Sequence, residues 1–280
     1  MNKRQKIDTL FSIACRSALI LSCLILFFFL SCIVWRGAPS ISIDFISQAS
    51  RKFGSEGGIL YQILGSLLLV TVAALLCFPV ALGLAIFKSE YLKSPSWQKF
   101  SNILIYTLNA VPSIIFGLFG LIFFINFLET GISWFVGSII LATMILPTVT
   151  LSIYHALDKI PSLYRESALA LGLNKWQVIY KVLIPQSLSG AISGLLIGIA
   201  RAIGETAPIM FIATAFSGVD TPRSLFEPVA SLPTHILALA QEANTPQALQ
   251  NAWGSSLVLL LLVMLFSGIA LSIRLKGTHL

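Results

Sequence analysis

The sequence has 280 residues, of which 56% are apolar and only 10% are charged, and its formal net charge is +7. Its mean hydropathy is +0.90, and so few charges cannot cover the surface of a water-soluble globule of this size. The composition excludes a soluble enzyme, a disordered tail and a disulfide-stapled secreted domain, and it predicts an integral membrane protein.

Charged residues divide the chain into six apolar blocks, each long enough for a helix of about 20 residues to cross a bilayer. We predict an all-α integral membrane protein with transmembrane helices at about 17–35, 59–87, 100–128, 130–156, 187–215 and 253–273. Residues 1–16 are expected to form a cytoplasmic arm, and residues 17–280 a single transmembrane domain. The first block resembles a signal peptide, but its length and the lack of a small-x-small cleavage site favour a retained helix.

Lysine and arginine lie mainly on one side of this predicted topology. The N-terminal arm, the second loop, the fourth loop and the C-terminal tail carry thirteen of them, and the opposite side carries four. Because cytoplasmic segments of membrane proteins are enriched in these residues, both termini are predicted to be cytoplasmic. The basic charge then reflects topology in a lipid bilayer and predicts no nucleic-acid partner.

The sequence has no pattern typical of a metal or cofactor site. Its four cysteines form no C-x-x-C pair and are interpreted as small buried hydrophobic residues: Cys15, Cys23, Cys32 and Cys77. The three histidines are scattered, and the sequence contains no G-x-x-x-x-G-K-[ST] nucleotide-binding loop. We therefore expect no catalytic residue, no metal and no cofactor in this chain.

The loop between the fourth and fifth spans, residues 157–186, is predicted to form two short helices with a tight corner. Pro161 suits a first helical turn, and Gly172 suits the left-handed residue after a helix end. Asn174 can cap the next helix, with Gln177 three residues later as a capping-box variant. Pro185 is expected to end that helix.

Local patterns in this loop leave its role open. Four residues at helical spacing are predicted to form one apolar stripe: Trp176, Ile179, Tyr180 and Leu183. Ala168 and Ala170 give a low profile that another surface can approach closely. By themselves these features favour an amphipathic helix pair that lies at the membrane surface and connects two spans. A DNA-binding helix-turn-helix is disfavoured, because both ends of the loop enter the bilayer.

The fifth span contains a charged pair near its predicted midpoint. Arg201 and Glu205 are four residues apart, so they share one helical face and can neutralise each other. A charge at this depth costs on the order of 2.5–3.5 kcal/mol on insertion scales, so it should be paired or face water. Gly204 and Pro208 weaken the helix at the same point and predict a bend or break, which a membrane tolerates only beside protein or a wet cavity.

Two interpretations of this pair remain open at this point. It can be a structural ion pair that joins two helices, or a polar site on a substrate path. Arginine presents a planar fork of donors that matches the oxygens of phosphate. An oxyanion is therefore the natural cargo under the second interpretation.

Residues 166–185 resemble the EAA loop of ABC-importer permeases. That family pattern reads E-A-A, three residues, G, nine residues, I-x-L-P, and this chain keeps the spacing with Glu-Ser-Ala at 166–168, Gly172 and Val-Leu-Ile-Pro at 182–185. The resemblance implies an ABC type I importer permease fold, in which this helix-turn-helix docks on a cytoplasmic ATPase and carries its motion to the membrane helices. The coupling residues that it implies are Arg165, Glu166, Ser167, Ala168, Ala170, Gly172 and Pro185.

Four further segments are similar to the PstA family, one of the two permease families of phosphate ABC importers. They are residues 79–83 (Pro-Val-Ala-Leu-Gly), 111–120 (Val-Pro-Ser-Ile-Ile-Phe-Gly-Leu-Phe-Gly), 200–208 (Ala-Arg-Ala-Ile-Gly-Glu-Thr-Ala-Pro) and 251–253 (Asn-Ala-Trp). In the partner family, PstC, Gly-Glu-Thr is typically followed by Met, so the Ala-Pro at 207–208 resembles PstA more closely.

This resemblance implies a non-catalytic permease subunit of an ATP-driven importer of inorganic phosphate. Arg201, Glu205 and Thr206 would lie on the substrate pathway, and Gly204 and Pro208 would break the helix there. The implied partners are a PstC-like second permease, two copies of a PstB-like cytoplasmic ATPase, a PstS-like extracytoplasmic phosphate-binding protein and the phosphate ion. The alternatives are a permease for another oxyanion, a PstC-type subunit, a membrane-embedded enzyme acting on lipid phosphate and an ion-coupled transporter that works alone.

Overall fold

Helices make up almost all of the chain that the computed structural model describes, which is residues 3–54, 56–214, 221–241 and 245–277. The α-helices are α1 (Lys3–Gly37), α2 (Ile43–Ser47), α3 (Leu60–Ile86), α4 (Pro95–Ala110), α5 (Ser113–Gly120), α6 (Trp134–Asp158), α7 (Ser162–Ala170), α8 (Lys175–Val178), α9 (Ile184–Ile203), α10 (Ala207–Ile212), α11 (Leu232–Gln241) and α12 (Pro246–Gly277). π-Helical segments cover Phe87–Tyr91, Leu121–Phe127 and Ile179–Leu183. The all-α prediction is confirmed apart from a short antiparallel pair, β1 (Ser50–Arg51) and β2 (Glu56–Gly57).

Within the described residues, five helical stretches are long and apolar enough to cross a membrane: Leu10–Ser40, Leu60–Tyr91, Trp134–Asp158, Lys175–Ile203 and Pro246–Leu275. The predicted third span at 100–128 is not one straight helix, because α4 and the helix Ser113–Phe127 meet at 86°. Pro112 explains the bend, since it pushes the preceding Val111 out of the helical region, to φ −64° and ψ 126°. Counting this bent pair as one span gives the six that the sequence predicts.

Several boundaries differ from the predicted ones. α1 begins at Lys3, so most of the predicted arm at 1–16 belongs to the same helix as the first span. Pro185 does not end a helix as predicted, because the chain stays helical from Lys175 to Ile203. Pro185 lies in the first turn of α9, just after the π-helical segment, and proline is tolerated in a first turn. The predicted end of the fifth span at residue 215 lies outside the described residues.

The core joins α3, α6 and α9 along their buried faces. Leu69 of α3, Ile145 of α6 and Ile203 of α9 all lie in it with at most 1% of their surface exposed. Apolar burial of this kind contributes on the order of 1.5–3 kcal/mol per large side chain in water. In a bilayer, close packing carries more of the stabilisation, because lipid tails are as apolar as the side chains.

Glycines let α9 approach α6 closely. Gly190, Gly194 and Gly198 are spaced one turn apart, and a Cβ added to each would lie 2.5, 2.3 and 2.8 Å from a side-chain atom of α6. The α6 residues that they face are Ala156, Ser152 and Val149. Small residues at this spacing are typical of packed membrane helices, and here they fix the position of the residues that follow Gly198.

A smaller buried layer lies where α11 and α12 meet the segment that precedes α3. His235 of α11 is buried beside Gly54, whose carbonyl oxygen accepts a hydrogen bond from Asn251 Nδ2 at 2.9 Å. Burial lowers the pKa of His235 to about 4, so this imidazole is neutral at pH 7. α1 contacts α12 near Gly37, where a Cβ would lie 2.7 Å from the Trp253 carbonyl oxygen.

Candidate functional site

The helical backbone is interrupted between α9 and α10. α9 ends immediately before Gly204, and α10 begins with Pro208 in its first turn, so these two residues flank the interruption. Glu205 and Thr206 lie within it. A Cβ at Gly117 of α5 would lie 2.8 Å from Pro208 Cα, which means that the bent third span packs directly on α10.

Arg201 connects three segments of the chain by hydrogen bonds. Its Nη1 donates to Asn109 Oδ1 at 3.0 Å and to Thr148 Oγ1 at 3.3 Å. The Thr148 hydroxyl donates to the same Asn109 oxygen at 2.9 Å. Arg201 Nε lies 3.7 Å from Glu205 Oε1, an ion pair that is too long for a hydrogen bond. Arg201, Glu205, Asn109 and Thr148 together are called the Arg201 cluster below.

Asn109 and Thr148 are absent from the set of site residues predicted from sequence. Each is a polar residue inside an apolar block and close to a proline, since Asn109 precedes Pro112 and Thr148 follows Pro147. A polar side chain in a membrane span is a functional candidate by default. That combination is the signal that could have identified both residues.

The Arg201 cluster is partly open to its surroundings. The side chain of Arg201 is 36% exposed and that of Glu205 is 18% exposed, and Thr206 beside them is half-buried. Among the described residues, Nε and Nη2 of Arg201 make no hydrogen bond. A partly exposed guanidinium with unused donors can bind an anion through charge-assisted hydrogen bonds.

The helix-turn-helix between the fourth and fifth spans is formed by α7 and α8, which meet at a corner comprising residues 171–174. Gly172 adopts φ +82°, in the left-handed region, and apart from its chain neighbours no atom of the described residues lies within 4 Å of the place where its Cβ would be. Asn174 and Gln177 form a capping box with two bonds of 2.9 Å, in which each side chain accepts from the other residue's backbone N–H. The corner is therefore an exposed, locally fixed projection.

The predicted coupling residues do not share one surface. Glu166, Ser167, Ala170, Gly172 and Pro185 are exposed. Ala168 is only 5% exposed and packs in the core, so the expectation that it offers surface to a partner is corrected.

Arg165 also turns toward the chain and away from solvent. Its Nε lies 3.0 Å from Glu90 Oε1, and its other guanidinium nitrogens donate to the carbonyl oxygens of Ile160 at 2.8 Å and Leu157 at 3.2 Å. Lys175 Nζ donates to the Glu90 carbonyl oxygen at 2.9 Å. Glu90, which was not predicted as a site residue, therefore connects the end of the second span to both helices of the corner.

The predicted apolar stripe on the second of these helices is divided. Ile179 and Leu183 are fully buried, whereas Trp176 and Tyr180 are 71% and 73% exposed. The π-helical turn at Ile179–Leu183 changes the helical period, so a spacing counted for an α-helix assigns the wrong face. The exposed aromatic pair stands next to the corner.

Comparison with known proteins identifies the family. Residues 77–276 match the family described as binding-protein-dependent transport system inner membrane component. The chain belongs to this family. The permease is 29% identical to the probable ABC transporter permease protein YqgI of Bacillus subtilis, over 89% of this chain and 87% of that one. It is 31% identical to the phosphate transport system permease protein PstA of Haemophilus influenzae, over 83% and 81% of the two chains.

A third relative and a solved structure extend this picture. The permease is 30% identical to the phosphate transport system permease protein PstC of Pasteurella multocida, over 77% of this chain and 73% of that one. Its fold is similar to a chain of the MetNI methionine ABC transporter in an inward facing conformation, with a TM-score of 0.64, 15% identity and coverage of 78% and 95%. The predicted ABC importer permease fold is confirmed. Family and apolar helices together make the chain a multi-pass inner-membrane transport protein.

Proposed function

We propose that this permease is a PstA-type subunit of an ATP-driven importer of inorganic phosphate. It forms the translocation path with a PstC-like second permease and works with two copies of a PstB-like cytoplasmic ATPase. A PstS-like extracytoplasmic binding protein delivers the phosphate, and the permease itself catalyses no reaction. Its similarity to both PstA and PstC proteins supports the phosphate cargo and the second permease.

The Arg201 cluster is the observation that carries this proposal. A guanidinium can bind two oxygens of one phosphate ion, and its charge compensates the anion where the membrane offers little water. Glu205, at 3.7 Å from Arg201 Nε, repels a bound anion and so keeps its binding reversible. The Thr206 hydroxyl in the same break can donate a further hydrogen bond. A site on a transport path needs this combination of attraction and release.

The corner supplies the contact with the ATPase. Leu171 is 83% exposed and Trp176 is 71% exposed beside Gly172, and exposed apolar side chains on a fixed projection are typical of a protein contact surface. The distribution of Lys and Arg supports a cytoplasmic position for this corner and for both termini. A green fluorescent protein fused to the C-terminus should fluoresce, and an alkaline phosphatase fused there should be inactive. Active phosphatase would contradict this orientation.

Phosphate uptake by cells that express the complete importer tests the role of Arg201. Arg201→Gln should reduce uptake to background while the subunits still co-purify, because a neutral amide cannot compensate the anion. Arg223→Gln, in an exposed segment outside the spans, is the matched control and should transport normally. Uptake at the wild-type rate by Arg201→Gln would refute the pathway role.

Co-purification tests the corner. Gly172→Val should weaken retention of the ATPase in mild detergent, because a β-branched residue does not adopt φ +82° without changing the turn. Gly131→Val is the matched control, since Gly131 also has a positive φ, +73°, and its Cβ would meet no described residue within 4 Å other than its chain neighbours. Equal retention by both variants would contradict docking at the corner.

A permease for another oxyanion is the alternative that the Arg201 cluster also accommodates, because the guanidinium fork fits any tetrahedral oxyanion. Competition separates the two cargoes. A hundredfold excess of sulfate should leave phosphate uptake unchanged if phosphate is the cargo, and strong inhibition would favour the alternative.

A further inference from the structure

Two asparagines connect α4 to the neighbouring spans by side-chain hydrogen bonds. None of its residues is buried, and none belongs to the hydrophobic core. Asn102 Oδ1 accepts a hydrogen bond from Lys88 Nζ at 2.6 Å, and Asn109 Oδ1 accepts from Arg201 and Thr148. The asparagines are seven residues apart, which is about two helical turns, so they lie on the same face of α4.

Arg201 has a limited choice of donors for an anion. Arginine binds an oxyanion best along an edge that presents two N–H groups in parallel. The edge that includes Nε faces the Glu205 carboxylate at 3.7 Å, which repels an anion there. The other edge includes Nη1, and Nη1 already donates to Asn109 and Thr148. An anion that takes this edge must displace one of those two acceptors.

We propose that Asn109 is a positioning residue that competes with the anion for Arg201, so that anion binding detaches the C-terminal end of α4 from α9. This inference rests on the proposed function, because it takes Arg201 as the anion site. A phosphate dianion accepts a stronger hydrogen bond from a guanidinium than a neutral amide does. After the exchange, the Asn109 oxygen still accepts the hydrogen bond from the Thr148 hydroxyl at 2.9 Å, so it keeps a partner.

The opposite end of α4 is linked indirectly to the helices of the corner. Gln98 Nε2 donates to the Leu92 carbonyl oxygen at 2.7 Å, just beyond the π-helical segment Phe87–Tyr91 that contains Glu90. Glu90 in turn pairs with Arg165 of α7 at 3.0 Å. The 16 residues of α4 therefore connect the Arg201 cluster to the helices of the corner over about 24 Å. When Asn109 no longer accepts a hydrogen bond from Arg201, α4 is held less firmly at its C-terminal end.

Opposite substitutions at Asn109 test the proposal in the complete complex, purified without the binding protein and placed in lipid nanodiscs. Asn109→Ala removes the competing acceptor, and radiolabelled inorganic phosphate should bind about three- to tenfold more tightly. Asn109→Asp retains the acceptor and adds a negative charge, and phosphate should bind at least about tenfold more weakly. Basal ATPase activity should rise in Asn109→Ala and fall in Asn109→Asp.

Two control variants separate competition from general loosening of α4. Thr107→Ala changes an exposed residue of the same helix that makes no side-chain hydrogen bond among the described residues, and it should match the wild type. Asn102→Ala releases the other end of α4 and should leave phosphate affinity unchanged. If Asn102→Ala tightens phosphate binding as much as Asn109→Ala does, competition for Arg201 is refuted.

The remaining outcomes distinguish this inference from the proposed function. Unchanged or weaker phosphate binding and unchanged ATPase activity in Asn109→Ala would overturn the inference. If, in that case, Arg201→Gln abolishes phosphate binding in the same assay, the proposed function stands and only the inference about Asn109 fails. If Arg201→Gln binds phosphate like the wild type, Arg201 is not the anion site and both fail together.

Discussion

Gly194→Ala places a methyl group between α9 and α6. The added Cβ would lie 2.3 Å from Ser152 Cβ, whereas two carbon atoms in contact are normally about 3.5–4.0 Å apart. Both Cβ positions are fixed by their helix backbones, so the helices must separate by about 1.2–1.7 Å at this point. The bond from Arg201 Nη1 to Thr148 Oγ1 is already 3.3 Å long, and such a displacement would break it.

The expected size of the effect is the difference between two opposing terms. Overpacking costs about 1–3 kcal/mol, and the higher helix propensity of alanine returns about 0.5–1 kcal/mol. We therefore expect a net loss of about 1–2 kcal/mol in unfolding free energy, visible as a lower thermal unfolding midpoint in detergent and as reduced phosphate uptake.

A second-site change provides the rescue. Ser152→Gly removes the opposing Cβ, so the double variant should recover most of the stability, with a coupling energy of about 1–2 kcal/mol. Gly268→Ala on α12 is the control and should be neutral or slightly stabilised, because no other described part of the chain comes within 4 Å of the added Cβ. If Gly194→Ala is as stable as Gly268→Ala, or if Ser152→Gly does not rescue it, the close packing of α9 on α6 is not what positions Arg201.

Three further predictions concern other contacts. Arg165→Gln and Glu90→Gln should each lower the free energy of unfolding by about 2 kcal/mol, because each leaves the charge of the other residue largely buried and unpaired. Retention of the ATPase should fall in both variants. If the double variant loses the sum of the two single effects, the two residues are not coupled. Gly117→Ala should lower thermal stability by about 1–3 kcal/mol, since its Cβ meets backbone of α10 at Pro208 Cα, whereas Gly83→Ala, with open space around it, should not. The pKa of His235 is about 4 in the folded chain and about 6.5 in the unfolded chain. The unfolded state therefore binds the proton first as the pH falls. The free energy of unfolding should decrease between about pH 6.5 and pH 4, by up to roughly 3 kcal/mol. Thermal unfolding at pH 7 and pH 4.5 should show a smaller acid loss in His235→Gln than in the wild type, and equal losses would refute this origin.

Local features of the site could be predicted from the sequence because they depend on neighbouring residues. Gly172 occupies a left-handed turn and Asn174 forms a capping box with Gln177, since both depend only on the backbone within a few residues. The membrane class and the number of spans follow from apolar segment length and composition in the same way. The bend at Pro112 has a local cause of the same kind, although its size, 86°, and the packing of α5 on α10 are seen only in the tertiary structure.

Only the tertiary structure decides which distant side chains meet. Asn109 and Thr148 are 92 and 53 residues from Arg201 in the chain, and they reach it because the glycines of α9 allow α6 within contact distance and Pro112 ends α4 at that level. The inward orientation of Ala168 and Arg165 likewise depends on contacts with other parts of the chain. The α-helical spacing of the predicted stripe fails at Ile179–Leu183, since the number of residues per turn differs in a π-helical turn. These features depend on how helices approach one another, which the order of residues within any one helix does not determine.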